Sequence, residues 1–163
     1  MTKYGGRTAV VVDGATGLGL AIAKRLIEGG AKILVTTRTP TRTEAELGPC
    51  AQVLTSDRTD PTAIATLAPT VDYLFLPAGR EIVLALLPVL RDGAAVVFTQ
   101  ATPRPALRAL SAELTAHGIR VNAVAPDCGH AARTDAAARA ALFLAADAPY
   151  TTCAQLPIAT SQF

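Results

Sequence analysis

The segment Thr8-Ala9-Val10-Val11-Val12-Asp13-Gly14-Ala15-Thr16-Gly17-Leu18-Gly19 opens with a short continuous apolar run. Such a run is typical of a strand buried on both faces. A glycine-bearing turn follows and leads into a helical pattern with Leu20, Ala23, Leu26 and Ile27 on one side, closed by Gly29-Gly30. Working outward, the alternation repeats along the chain. The sequence predicts further strands over Lys32–Thr37, Gln52–Thr55, Asp72–Leu76, Ala94–Thr99, Ile119–Val124 and Ala154–Ile158. Helices are expected from a capping box at Thr43 and Glu46, from the N-cap pair Asp60-Pro61 to about Ala68, and over Glu81–Leu90, Ala106–Ala116 and Asp135–Ala146. Seven strands alternating with six helices predict an α/β, doubly wound, Rossmann-like parallel sheet with helices on both faces and the order 3-2-1-4-5-6-7. The short connections leave no linker, so residues 1–163 are expected to form a single compact domain.

Composition narrows the function classes. Fifteen basic and thirteen acidic residues give a net charge of +2, and aromatics make up only 4%. A nearly balanced charge without basic clusters or a stacking platform argues against nucleic-acid binding. The most apolar run, Ile82–Leu90, is too short to span a bilayer and contains Pro88. The first residues hold no apolar signal segment, and Cys50, Cys128 and Cys153 form neither a CxxC nor an even set. A cytoplasmic protein without a metal site is the expectation.

Five motifs in order carry a family likeness. They are the first strand–turn–helix unit Arg7–Arg38, Asp57-Arg58-Thr59-Asp60, Leu76-Pro77-Ala78-Gly79, His117–Pro126, and the stretch from Leu142–Asp147 through Leu156-Pro157-Ile158. On these motifs the chain resembles the short-chain dehydrogenase/reductase (SDR) family. The resemblance implies a Rossmann fold and NAD(P)-dependent hydride transfer aided by a Ser and a Tyr-x-x-x-Lys pair. It places Gln100-Ala101-Thr102-Pro103-Arg104 at the Tyr-x-x-x-Lys position and leaves Thr99 as a remnant of the serine motif. Gln100 cannot ionise, so it cannot pass a proton as tyrosine does, and Arg104 keeps a charge that does not titrate. Tyr4, Tyr73 and Tyr150 are not placed to substitute.

The family's Thr-Gly-x-x-x-Gly-x-Gly maps onto Val12 to Gly19, which makes Asp13 the replacement for the first glycine. That glycine lets the backbone approach a pyrophosphate, and a carboxylate there repels it. If NADP binds, Gly14, Gly17, Gly19, Arg38 and Asp57 are the residues the resemblance assigns to it. The helix N-terminus supplies an anion site and Arg38 supplies a cation for the 2′-phosphate. The family's Pro-Gly after the sixth strand is Pro126-Asp127 here, and only Cys128–Arg133 separates that strand from the last helix.

Ligands of open α/β sheets bind at the carboxyl ends of the strands. Asp13, Gln100, Arg104, Asp127 and His130 are therefore the candidate catalytic residues. Mutual repulsion and desolvation by Val12 and Val124 are expected to set the two aspartates apart as acid and base, with His130 available for one role. The alternative for each aspartate is a turn residue. The leading expectation is a cofactor-independent, redox-neutral enzyme of isomerase, cyclase, dehydratase or lyase type acting on a small organic substrate. An atypical NADP(H)-dependent oxidoreductase and an inactive SDR-like binding partner are the rivals. A homo-oligomer or a complex with a related dehydrogenase stays open.

Overall fold

In a computed structural model of the chain, residues 2–56, 59–127 and 131–159 are described. The strands are β1 (Thr8–Val11), β2 (Lys32–Thr37), β3 (Ala51–Thr55), β4 (Val71–Leu76), β5 (Leu90–Phe98), β6 (Arg120–Pro126) and β7 (Gln155–Ile158). The helices are α1 (Gly17–Glu28), α2 (Pro40–Leu47), α3 (Pro61–Leu67), α4 (Arg80–Ala85), α5 (Arg104–Thr115) and α6 (Ala131–Leu142). All pairings are parallel and the order is β3-β2-β1-β4-β5-β6-β7, as the sequence predicts.

Side chains alternate across a strand, so each central strand feeds two cores. Ala9 and Val11 join Ile22, Ala23 and Leu26 of α1 and Ala138 and Ala141 of α6 on one face. Val10 joins Ile64, Val83, Leu107 and Leu110 from α3, α4 and α5 on the other. Burial of each leucine or isoleucine side chain contributes about 1.5–3 kcal/mol. This double burial explains why β1 and β4 read as continuous apolar runs instead of alternating ones.

Three helix expectations are corrected. The second helix does not start from a Thr43–Glu46 box, because Thr39 is its N-cap, Pro40 opens it and Thr43 is buried within it. The Oγ1 of Thr43 donates to the Thr39 carbonyl at 2.9 Å, one turn back. The helix expected over Glu81–Leu90 ends at Ala85, passes through a 3₁₀ turn over Leu87–Val89 and gives way to β5 at Leu90. Pro88 lies in that turn, where it has no amide hydrogen for a helical ladder. The last helix begins earlier than Asp135, at Ala131, and its end is a π-helical segment over Phe143–Asp147. By contrast, Asp60 caps α3 as expected, accepting from the Thr62 and Ala63 amides at 2.9 and 3.3 Å.

Candidate functional site

Strand order reverses where β1 lies between β2 and β4, and the loops leaving β1 and β4 part there. A cleft of about 620 Å³ opens at this point, over the carboxyl ends of β1, β2, β3 and β4. Asp13 and Arg38 line it, together with a hydroxyl wall that includes Thr16, Thr36, Thr37 and Thr39. Ser56, Thr59 and the pair Pro77–Ala78 complete it. The hydroxyl wall was not singled out by motif reading. Its signal was positional, since Thr36 and Thr37 end the second strand.

The β1–α1 loop is tied to both neighbouring strands. The Val12 amide donates to the Phe75 carbonyl at 2.8 Å, and the Gly14 amide donates to the Thr36 carbonyl at 3.2 Å. Between them, the Asp13 amide donates to Thr36 Oγ1 at 3.1 Å. Asp13 takes φ 57°, the left-handed conformation that glycine adopts freely and aspartate tolerates better than most residues. Asp13 thus combines a glycine-like backbone conformation with a carboxylate. Gly19 closes the same turn. A Cβ on it would fall 2.9 Å from both the Asp13 carbonyl oxygen and the Gly14 Cα, so α1 starts against the loop with no room for a side chain.

Thr16, the N-cap of α1, is extended and its side chain makes no capping hydrogen bond. The first-turn amides of α1 are therefore not used up by their cap. Arg38 is exposed and has no ion pair among the described residues. Together, an uncapped helix N-terminus, hydroxyls and a free guanidinium offer donors to an anionic ligand. The Asp13 carboxylate opposes them.

The other candidates lie apart from this cleft. Gln100 lines a second cavity of about 230 Å³ that shares Pro77 and Ala78 with the cleft. Arg104 begins α5 and lies beside Arg108 on the outer surface of that helix. Strand ends expected to converge on one cleft thus bound two adjoining spaces. Asp127 is exposed at the end of β6, where its amide donates to the Ile158 carbonyl at 3.0 Å. Asp13 is exposed as well, so burial does not desolvate either aspartate as the acid/base expectation requires. Val12 and Val124 point into the two cores instead. Asp57, Cys128 and His130 lie outside the described residues.

The tyrosines sit elsewhere. Tyr73 packs edge-on against Tyr4 with ring centroids 6.3 Å apart, and burial pushes its phenol pKa up. Tyr150 is exposed beyond the last helix.

Solved structures match this architecture. A short-chain dehydrogenase/reductase family protein is 23% identical, with 96% of this chain and 97% of that one covered at TM-score 0.79. BdcA in complex with NADPH is 16% identical, with 96% and 94% covered at TM-score 0.78. A mutant of a Serratia marcescens short-chain dehydrogenase/reductase is 17% identical, with 96% and 97% covered at TM-score 0.77. The chain has the short-chain dehydrogenase/reductase fold. No family model and no curated protein matches the sequence. At these identities the likeness is one of fold, and SDR architecture alone does not assign a reaction. Within the SDR fold the cleft lies at the switch point, with Asp13 in the β1–α1 turn and Gln100 beyond the Pro77–Ala78 wall. No helix among the described residues is long and apolar enough to cross a membrane.

Proposed function

We propose that the cleft binds a nucleotide of the NADP(H) class and that the protein acts on a small organic molecule without a tyrosine–lysine proton relay. The observation that carries this reading is the Arg38 guanidinium, without an ion pair among the described residues, in one cleft with the hydroxyl wall and Asp13 of the tight β1–α1 turn. The residues present fit such a ligand. First-turn amides of α1 would hold the diphosphate, Arg38 the 2′-phosphate, and the hydroxyls of Thr37 and Thr39 the ribose side. The NADPH complex of the similarly folded BdcA supports the choice of ligand class. When bound, a nicotinamide nucleotide supplies hydride chemistry. The residues at the tyrosine and lysine positions cannot take that part, because Gln100 does not ionise and Arg104 does not titrate. The proton therefore comes from the substrate or from water.

Asp13 sets the strength of binding. Its carboxylate lines the same cleft as the anion donors and weakens an anionic ligand, by about 1 kcal/mol for an exposed charge in water-like screening. A second reading follows from the same carboxylate. Asp13 is a base within reach of a small substrate in a cleft whose other polar lining is hydroxyls and Arg38, which suits the redox-neutral acid/base chemistry of an isomerase or lyase.

Titration of NADPH and NADH, followed by nicotinamide fluorescence, separates the two readings. The nucleotide reading expects NADPH to bind more tightly than NADH. It also expects Arg38→Ala to cost NADPH about 10- to 100-fold and to leave NADH nearly unchanged. Asp13→Gly should tighten both. If neither nucleotide binds to the wild type or to Asp13→Gly, the nucleotide reading is wrong and the acid/base reading is favoured.

A further inference from the structure

The Asp13 carboxylate makes no hydrogen bond or ion pair among the described residues, although the Asp13 amide is bound to Thr36 Oγ1. Its place is nonetheless fixed. The Val12 amide ties the turn to β4, the Asp13 and Gly14 amides tie it to β2, and Gly19 leaves no room between α1 and the Asp13 carbonyl. Thr16 belongs to the same turn. It is exposed in the same cleft, and its hydroxyl does not cap α1. Among the described residues that line the cleft, Arg38 is the one cation and Asp13 the one carboxylate. With Arg38 on the 2′-phosphate, a diphosphate at the first turn of α1 shares the cleft with a carboxylate that no other described lining side chain neutralises.

We propose that the cleft takes its nucleotide as the magnesium complex, with the Asp13 carboxylate and the diphosphate sharing one divalent cation. The inference rests on the nucleotide reading of the cleft and adds a metal to it. Ligand chemistry is the first argument. Magnesium takes hard oxygen ligands, keeps several waters, and is usually held through one or two carboxylates plus substrate phosphates. Asp13 supplies the carboxylate, and the Thr16 hydroxyl is a neutral oxygen on the same turn. Both residues are exposed, which suits an ion that keeps its waters. Incompleteness is the second argument. No group of three His, Cys, Asp or Glu side chains gathers among the described residues, so the protein alone is a poor site and the phosphates complete it. Metal and nucleotide then strengthen each other by the same factor. Cysteine and histidine spacing gives no sign of such a site, because a hard cation needs neither ligand.

The test titrates the full chain with NADPH and with NADH, once with a chelator and once with millimolar magnesium chloride, at one ionic strength held with potassium chloride. In the wild type, magnesium should tighten both nucleotides by about 10- to 50-fold, since they share the diphosphate. Asp13→Asn removes the charge and keeps a residue that tolerates the left-handed turn. This variant should bind both nucleotides more tightly than the wild type under chelator and more weakly under magnesium. Manganese gives a second readout. With saturating NADPH it should broaden the amide resonances of Asp13, Gly14 and Gly17 in the wild type, and the broadening should vanish without NADPH or in Asp13→Asn. A wild-type affinity indifferent to magnesium overturns the metal bridge and leaves the nucleotide reading standing. A gain confined to NADPH puts the ion at the 2′-phosphate and overturns the bridge as well. Equal magnesium gains in the wild type and Asp13→Asn overturn the role of Asp13. No binding of either nucleotide under any of these conditions overturns the nucleotide reading and this inference with it.

Discussion

At the scale of single residues, Asp13 combines two effects that can be measured separately. Its backbone has φ 57°, a conformation in which a non-glycine residue is strained by about 1 kcal/mol. Its carboxylate lies in the cleft and acts on any anion there. Asp13→Gly should therefore raise stability by about 0.5–1 kcal/mol in urea denaturation, with no ligand present. A loss of stability would mean that the carboxylate holds the turn by contacts the structure does not contain. Reading the motif identified this position but not its conformation. An aspartate in place of a glycine looks like damage to the turn, whereas here it adopts the left-handed conformation that glycine adopts freely and adds a charge. Arg38 shows the reverse limit. Its place after the second strand was legible, but its lack of an ion pair among the described residues depends on where the acidic side chains fall.

Among the elements, the least expected feature is the π-helical segment Phe143–Asp147 that follows α6. Arg120 at the start of β6 accounts for its satisfied carbonyls. One guanidinium nitrogen donates to the Leu144 and Ala148 carbonyls at 2.7 and 2.8 Å, and the other donates to the Ala145 carbonyl at 2.8 Å. Burial pulls the Arg120 pKa down from its ordinary value, and the three carbonyls compensate for its lost hydration. Arg120→Met should cost about 2–3 kcal/mol by chemical denaturation, because it leaves three carbonyls without a donor. A loss under about 0.5 kcal/mol would show that water replaces the guanidinium without penalty. None of this was legible from periodicity, since the three carbonyls belong to apolar residues and their donor lies more than twenty residues away in sequence. Strands were legible for the opposite reason. Apolar runs buried on both faces announce themselves locally, and six of the seven predicted strands fall within two residues of the observed ends; β5 starts four residues early, at Leu90. Helix starts were harder. Thr39, Thr41 and Thr43 are all acceptable caps, and only Pro40 at the first helical position singles out Thr39.

For the whole molecule, the sheet order and the two-sided core follow from alternation and right-handed connections. The same rules place ligands at the carboxyl edge near β1 and β4. They do not say how that edge is divided. Pro77 and Ala78 split it into a polar cleft that contains Asp13 and Arg38, and an apolar cavity that contains Gln100. The division rests on how far the loops after β4 and β5 rise above the sheet, and that depends on tertiary packing. Two exposed aspartates on separate loops lack the desolvation that the acid/base expectation calls for, while hydroxyls and Arg38 line the cleft that contains Asp13.

The most direct measurement is an amide-resolved nuclear magnetic resonance titration of the full chain with NADPH. The account predicts that the amides of Gly17, Leu18 and Gly19 move together with those of Thr37, Arg38 and Thr39, all saturating at one concentration. Shifts confined to other surfaces, or no shift in either group at saturating NADPH, would contradict it.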